Sequence, residues 1–458
     1  ADFRAMDTMR SRRGVETAGQ GEAEALPRRA LLRGGLGAFA AAMMSRALPA
    51  CGGDNTAAAG DAGMGDAGMG DAGMGDAGVV GDPPFVPREM PPAPRLVSRI
   101  ADIGPLRAPN ALGLRLPEGF TARVIGRSTE PVLPGGYEWH QWPDGGATYA
   151  MPDGGWVLVS NSEVPRIPPA LKGGVGAVRF AADGRIVGAY RILDDTSVNC
   201  AGCKTPWGSW LSCEEISRGK VYECDPWGER AAVVRPALGV FKHEAAAVDP
   251  VNAHVYLTED ETDGRFYRFV PARRTPQGHP DLGAGVLEVA EVDGEAVVWR
   301  PVPDPQYTGD TPTRRQVEKS TRFDGGEGIW YHAGVVYFST KGDNRVWAYD
   351  VAASRLTVLY DAARHARPPL RGVDNITVSC CGDVLVAEDG GTMQVVAILP
   401  SGEVKPLVQI VGHDGSEVCG PAFDPSGTRL YFSSQRGPMG GVGGITYEVT
   451  GPFHAPMP

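Results

Sequence analysis

The chain has 458 residues, with 44 Lys and Arg against 55 Asp and Glu and a formal net charge of −11; beyond the first 50 residues the balance is 36 − 50 = −14. Such acidity excludes a general affinity for nucleic acid or anionic lipid, which select basic surfaces, and suits bound divalent cations. A hydrophobic content of 42% excludes disorder throughout, while 63 Gly and 39 Pro predict many turns and few long helices.

In chain order, Pro27-Arg28-Arg29 precedes an apolar, Gly- and Ala-rich run from Gly34 to Met44. Twin arginines before a weakly hydrophobic segment resemble a twin-arginine export signal, and the run is shorter than the roughly 20 residues a membrane span needs. Leu48-Pro49-Ala50-Cys51-Gly52 resembles a lipoprotein cleavage box, with Cys51 the lipidated residue. Residues 1–51 therefore read as an address. Residues 52–83 repeat Gly-Asp-Ala-Gly-Met from Gly60, bury little, and read as a flexible spacer. Export to the bacterial periplasm is expected, with membrane attachment only through a lipid on Cys51.

Residues 84–458 are read as one all-β domain. Short β-rich runs bounded by Gly, Pro, Asp and Asn recur as a unit. One copy runs from Glu244 through Val255–Asp260 to Arg265–Val270, and another from Glu327 through Val336–Lys341 to Arg345–Asp350. A third runs from Asp374 through Val384–Asp389 to Met393–Leu399, and a fourth from Glu417 through Leu430–Gln435 to Gly444–Val449. Degenerate copies lie at Trp156–Glu163 and Trp210–Glu215, and Pro271 to Thr321 is expected to hold an insertion. About six such units of three or four strands predict a six-bladed β-propeller, with a β-sandwich as the alternative.

Equivalent positions in a propeller are related by rotation about the channel, so a recurring carboxylate forms a ring. Glu244, Glu327, Asp374 and Glu417 each open a unit. Glu214, Glu259 and Glu388 end the next strand, each followed by a further acid (Glu215, Asp260, Asp389), and Glu163 falls near the same place in the first unit. Converging carboxylates repel unless a cation neutralises them; calcium takes six to eight oxygens, and iron or manganese accept the same donors. The expected metal ligands are Glu163, Glu215, Glu244, Asp260, Glu327, Asp374 and Glu388.

Besides Cys51, seven cysteines are present: Cys200, Cys203, Cys213, Cys224, Cys380, Cys381 and Cys419. Cys200-Ala-Gly-Cys203 lacks the second pair a zinc site needs. In an exported chain an odd number leaves at least one unpaired; disulfides among Cys203, Cys213 and Cys224 are expected, with a remaining thiolate free for a transition metal.

Asn199-Cys200-Ala-Gly-Cys-Lys-Thr-Pro-Trp-Gly-Ser-Trp-Leu-Ser-Cys-Glu-Glu215 resembles the signature of the PhoX-type alkaline phosphatases, as do Phe241-Lys-His-Glu244 and the Thr258–Glu261 run. The resemblance covers about Gly113 to Phe453. It implies a twin-arginine-exported, six-bladed propeller with Ca2+ and Fe3+ in the channel that hydrolyses phosphate monoesters; a monomer is expected. Cys200 would match the family's iron-ligating cysteine; Glu215, Glu244, Glu327 and Asp374 match its metal carboxylates, and Glu163 matches more weakly. Glu244, Glu327 and Cys200 would carry the reaction as ligands. The family's phosphate-gripping Arg, two residues before the Glu, is replaced by Gly325, so Lys204, Arg322 and Arg371 are the expected substrate-binding cations. The units at Glu327 and Glu417 also resemble the gluconolactonase and regucalcin family, which implies a calcium-dependent lactonase instead. A non-catalytic, metal-stabilised surface propeller is the third reading.

Overall fold

The computed structural model describes residues 91–441 and 443–457. The export signal, Cys51 and the spacer of residues 52–83 lie outside the described residues. No helix among those described is long and apolar enough to cross a membrane.

The described chain is all-β and is built from antiparallel meanders. Pro143–Ala150, Trp156–Ser162, Gly173–Phe180 and Ile186–Thr196 pair in sequence order; Asn199–Lys204, Trp210–Glu214, Val221–Cys224 and Val233–Val234 do the same. A nine-stranded sheet follows, in which two meanders, one opening at His243–Asp249 and one at Gly326–His332, are joined at their outer edges by the single pair Ala296–Arg355. The next meander opens at Val373–Val378 and takes Leu114–Arg115 as its outermost strand. The last opens at Val418–Phe423 and is completed by Thr121–Arg127, from the beginning of the described chain.

The opening strands stand side by side. Pro143–Ala150 contacts Asn199–Lys204, and the contacts pass through His243–Asp249, Gly326–His332 and Val373–Val378 to Val418–Phe423, which returns to Pro143–Ala150. This cyclic order makes the arrangement propeller-like and leaves no place for a two-layer sandwich. Thr121–Arg127, which precedes every opening strand in the chain, joins the last sheet and so ties the two ends of the ring together.

Side-chain alternation explains why these segments are strands. In Val335–Thr340, Val336 and Phe338 are buried while Tyr337 between them is half-buried. Strands nearer the axis, such as His243–Asp249, lie between neighbouring sheets and are buried at every position. The core fills the wedges between sheets: Tyr256, Phe266, Phe323, Phe338 and Tyr349 form one such cluster, with the Phe266 and Phe338 rings stacked at 4.5 Å. Burying each of these rings contributes about 1.5–3 kcal/mol. The Pro271–Thr321 stretch supplies two strands, Gly285–Asp293 and Ala296–Pro301, then a loop with a short 3-10 turn at Thr313–Arg315.

Candidate metal centre

Five opening strands share one irregularity. Their pairing slips between Pro143 and Gly146, Asn199 and Gly202, His243 and Ala246, Gly326 and Ile329, and Val373 and Ile376. The residue entering each slip is Asp144, Cys200, Glu244, Glu327 or Asp374. Such a bulge re-aims a side chain out of the ladder. Small residues follow in four of the five, and the close approach of neighbouring strands demands them: a Cβ on Gly145 would lie 2.5 Å from Ala201 Cα, and one on Gly328 would lie 2.3 Å from Ile376 N. In the sixth opening strand the slip falls between Cys419 and Ala422, and its first residue is Gly420 at φ +62°.

The adjoining strands add a second tier. Glu163, Glu215, Asp260 and Asp389 each follow the residue that pairs with the start of a slip (Ser162, Glu214, Glu259 and Glu388). Lys341 holds the same place after Thr340, the partner of Gly326.

These side chains converge in four overlapping groups, each with ligand atoms within 4.8 Å of one another. They are Asp144–Glu163–Cys200, Cys200–Glu215–Glu244, Glu244–Glu327–Asp374 and Asp374–Asp389–Glu417. Three cations border them. Lys242 Nζ lies 2.7 Å from Glu215 and 2.9 Å from Asp260; Lys341 Nζ lies 3.0 Å from Glu327, 3.1 Å from Asp389 and 3.8 Å from Asp374; Arg436 lies 3.0 Å from Glu417. The clustered carboxylates and Asp260 number nine against these three, so negative charge is in excess.

Burial and mutual repulsion act accordingly. Burial, opposed by hydrogen bonds from Gln435 and Gly145, pushes Asp144 up to about 7; burial, with Lys341 opposing it, pushes Asp374 up to about 8. Glu163, Glu244, Glu327 and Glu417 rise well above the usual carboxylate range through burial first; Lys341 opposes the rise at Glu327 and Arg436 at Glu417, and neighbouring carboxylates add to it at all four. Asp260 is the opposite case, since Lys242 and Lys341 outweigh its burial and hold it at about 2. Burial and the nearby acids raise the Cys200 thiol, whose Sγ donates to Glu244 Oε1 at 3.0 Å.

The donor set fits a group of multiply charged cations. Glu244 Oε2 is buried without a hydrogen-bond partner, a costly state that a cation would relieve. Hard carboxylate oxygens suit calcium, and a single softer sulfur among them suits a transition metal such as iron.

Of the residues expected from sequence, the structure brings together Cys200, Glu163, Glu215, Glu244, Glu327 and Asp374. Asp260 stands beside them, tied to Lys242. Glu388 is a correction. Its carboxylate accepts the backbone N–H groups of Arg371, Thr392 and Gln394 at 2.9–3.1 Å, so it anchors a loop, and Asp389 takes the place in the cluster. Successive strand residues point to opposite sides, and the acid before the channel position faces into the sheet. Glu214 and Glu259 show the same division, the first accepting from Ser197 N and the second from Tyr267 Oη and Arg314.

Lys204 is also corrected. It ends the strand Asn199–Lys204, roughly 13 Å along from Cys200, where Nζ donates to Thr148 O at 2.6 Å. Arg322 and Arg371 are exposed on segments leading into opening strands. The expected disulfides are absent among the described residues: Cys203, Cys213 and Cys224 are buried thiols within their sheet. Asp144, Lys242, Lys341 and Arg436 were missed, and Asp389 and Glu417 were noted without being counted as ligands. Asp144-Gly145-Gly146 repeats the acid-then-small pattern of Glu327-Gly328 and was the available signal.

The alkaline phosphatase PhoX family model matches residues 141–224 and 217–362. The chain belongs to the PhoX family. No curated protein matches it. Among solved structures it is similar to Pseudomonas fluorescens PhoX in complex with vanadate, a transition state analogue, with TM-score 0.61 and 17% identity over 78% of this chain and 98% of that one. It is similar also to the gluconolactonase XC5397 from Xanthomonas campestris, with TM-score 0.40 and 16% identity over 79% and 98%. At 17% identity the likeness to the Pseudomonas fluorescens structure is one of fold.

Proposed function

We propose that the chain is an exported, metal-dependent phosphatase for phosphate monoesters, a six-bladed propeller with calcium and iron in its channel. The observation that carries this reading is the set of bulged positions Asp144, Cys200, Glu244, Glu327 and Asp374, which turn four carboxylates and one thiol toward a shared space. Membership of the PhoX family supports the reaction class, and the cyclic contacts of the opening strands support the blade number. Cys200 favours this reading over a calcium lactonase, because a hard ion gains little from sulfur. Export by the twin-arginine route, with a lipid on Cys51, rests on sequence alone.

When bound, the metals supply Lewis acidity and neutralise charge on the phosphoryl group. Asp144, Glu163, Glu215, Glu244, Glu327, Asp374, Asp389 and Glu417 are the oxygens that would hold them, and Cys200 is the sulfur. The Cys200 proton, now directed to Glu244 Oε1, must leave for the thiolate to bind. Arg436 replaces the arginine absent from position 325. Its guanidinium is oriented by Glu417 and by the Trp142 ring, 5.5 Å away, and its planar fork matches a phosphate dianion. Lys341 and Lys242 keep further positive charge at the border of the cluster.

Elemental analysis of the full chain purified without chelator, beside a p-nitrophenyl phosphate assay on the same sample, tests the reading. Iron together with calcium and phosphate release is the expected result. Cys200→Ser should lower iron and leave the fold intact, and unchanged iron removes that ligand. Bound metal with no turnover moves the chain to a binding propeller.

A further inference from the structure

The turn joining Val373–Val378 to Val384–Glu388 lies at the end of its strand remote from Asp374, roughly 20 Å away along the backbone. It holds Cys380 and Cys381, whose sulfurs are 3.6 Å apart, and a ring nitrogen of His454 lies within 4.8 Å of both. His454 comes from the terminal strand His454–Pro456, which pairs with Leu96–Ser98.

The histidine ring is oriented as a metal ligand requires. Its Nδ1 is 2.8 Å from the Gly427 carbonyl, which can only accept, so the neutral ring carries its proton on Nδ1 and its lone pair on Nε2. Histidine ligands to metals are oriented by this same bond from the other nitrogen. Nε2 is buried with no hydrogen-bond partner, on a residue only 4% exposed. The turn is held in advance: Ser379 Oγ donates to Asp383 Oδ2 at 2.8 Å and accepts from Cys381 N and Asp383 N. A metal about 2.3 Å from each of two sulfurs in tetrahedral geometry sets them about 3.8 Å apart, close to the spacing seen.

We propose that Cys380, Cys381 and His454 Nε2 bind one thiophilic metal ion, Zn2+ or Cu+, at a site separate from the channel. Two thiolates and an imidazole match both ions, and exposed Cys380 leaves a position open to solvent. His454 lies on a strand paired with Leu96–Ser98, so the ion would clasp the turn to both strands, and the bond that Cys381 Sγ donates to Leu96 O at 3.4 Å would be given up with the thiol proton.

The test uses the full chain with its channel metals left in place and its thiols kept reduced, titrated with Zn2+ or with Cu+ against a chromophoric chelator. About one equivalent should bind, protect two thiols from a thiol reagent and raise the melting temperature, with the better-bound ion naming the class. The same binding should persist in Cys200→Ser, which separates this site from the channel. Cys380→Ser, at an exposed position, should weaken binding by more than the roughly 10–100-fold typical of losing a ligand's supporting hydrogen bond. His454→Gln, checked for folding by its channel metal content, should do the same. Binding retained in Cys380→Ser, thiols unprotected by either ion, or a pair isolated as a disulfide would each overturn the proposal.

Discussion

The two ends of each opening strand behave differently. At the cluster end the ladder slips and turns Asp144, Cys200, Glu244, Glu327 and Asp374 out of it. At the other end pairing is regular and largely apolar, as in Ala150–Trp156, Val378–Val384 and Phe423–Leu430. Charged residues at the regular end are given protein partners: buried Asp249 accepts the N–H groups of Val251 and Asn252, and Lys204 reaches a carbonyl. At the slipped end the clustered acids outnumber the cations beside them. The packed ends supply the rigidity that holds the slipped ones in place and keeps repelling carboxylates within a few ångströms of one another.

The largest effect should come from breaking the slipped end where groups overlap. Glu244 belongs to two of them, so Glu244→Gln should lower kcat/KM for p-nitrophenyl phosphate by about 10²–10³-fold, the scale of losing one electrostatic contact to a transition state. Full activity with unchanged metal content would exclude Glu244 from the centre.

Next is the cation that faces it. Arg436→Ala should cost roughly 10–100-fold, mostly in KM, as expected for a charge-assisted bond of about 1.5–3 kcal/mol. Arg322→Ala and Arg371→Ala should stay near the parent. A reversed ranking would return substrate binding to the exposed arginines.

The third test separates charge from packing by pH. In the metal-free chain Asp144 and Asp374 have folded-state values of about 7 and about 8, above their ordinary 3.8. The stability they contribute is complete below about 4 and is lost as pH rises through 7 to 8. The melting temperature of chelated protein should fall over that range. Bound metal requires the deprotonated acids, so the gap between loaded and chelated protein should widen with pH. A constant gap would show that these carboxylates are not ligands.

The smallest effects sharpen the contrast between adjacent acids. Glu388→Gln should cost about 1–3 kcal/mol of stability through its loop hydrogen bonds while metal content stays unchanged. Loss of metal in that variant would restore it to the ligand set. Lys204→Met, at the regular end, should leave turnover unaltered.

Sequence by itself determined the all-β class, the repeating unit and the acids that open its clearest copies, Glu244, Glu327 and Asp374. Strand periodicity and turn residues are local, and a repeat maps directly onto a rotation. Tertiary structure alone decided which member of Glu388–Asp389 enters the channel, because a one-residue change of register exchanges the faces of a strand. It decided that Cys203, Cys213 and Cys224 stay thiols, since pairing depends on how neighbouring strands place their side chains rather than on spacing. It also decided that Asp144, Lys341 and Arg436 join a site assembled from strands far apart in the chain. Convergence on an axis is a property of the closed ring, and no single segment carries it.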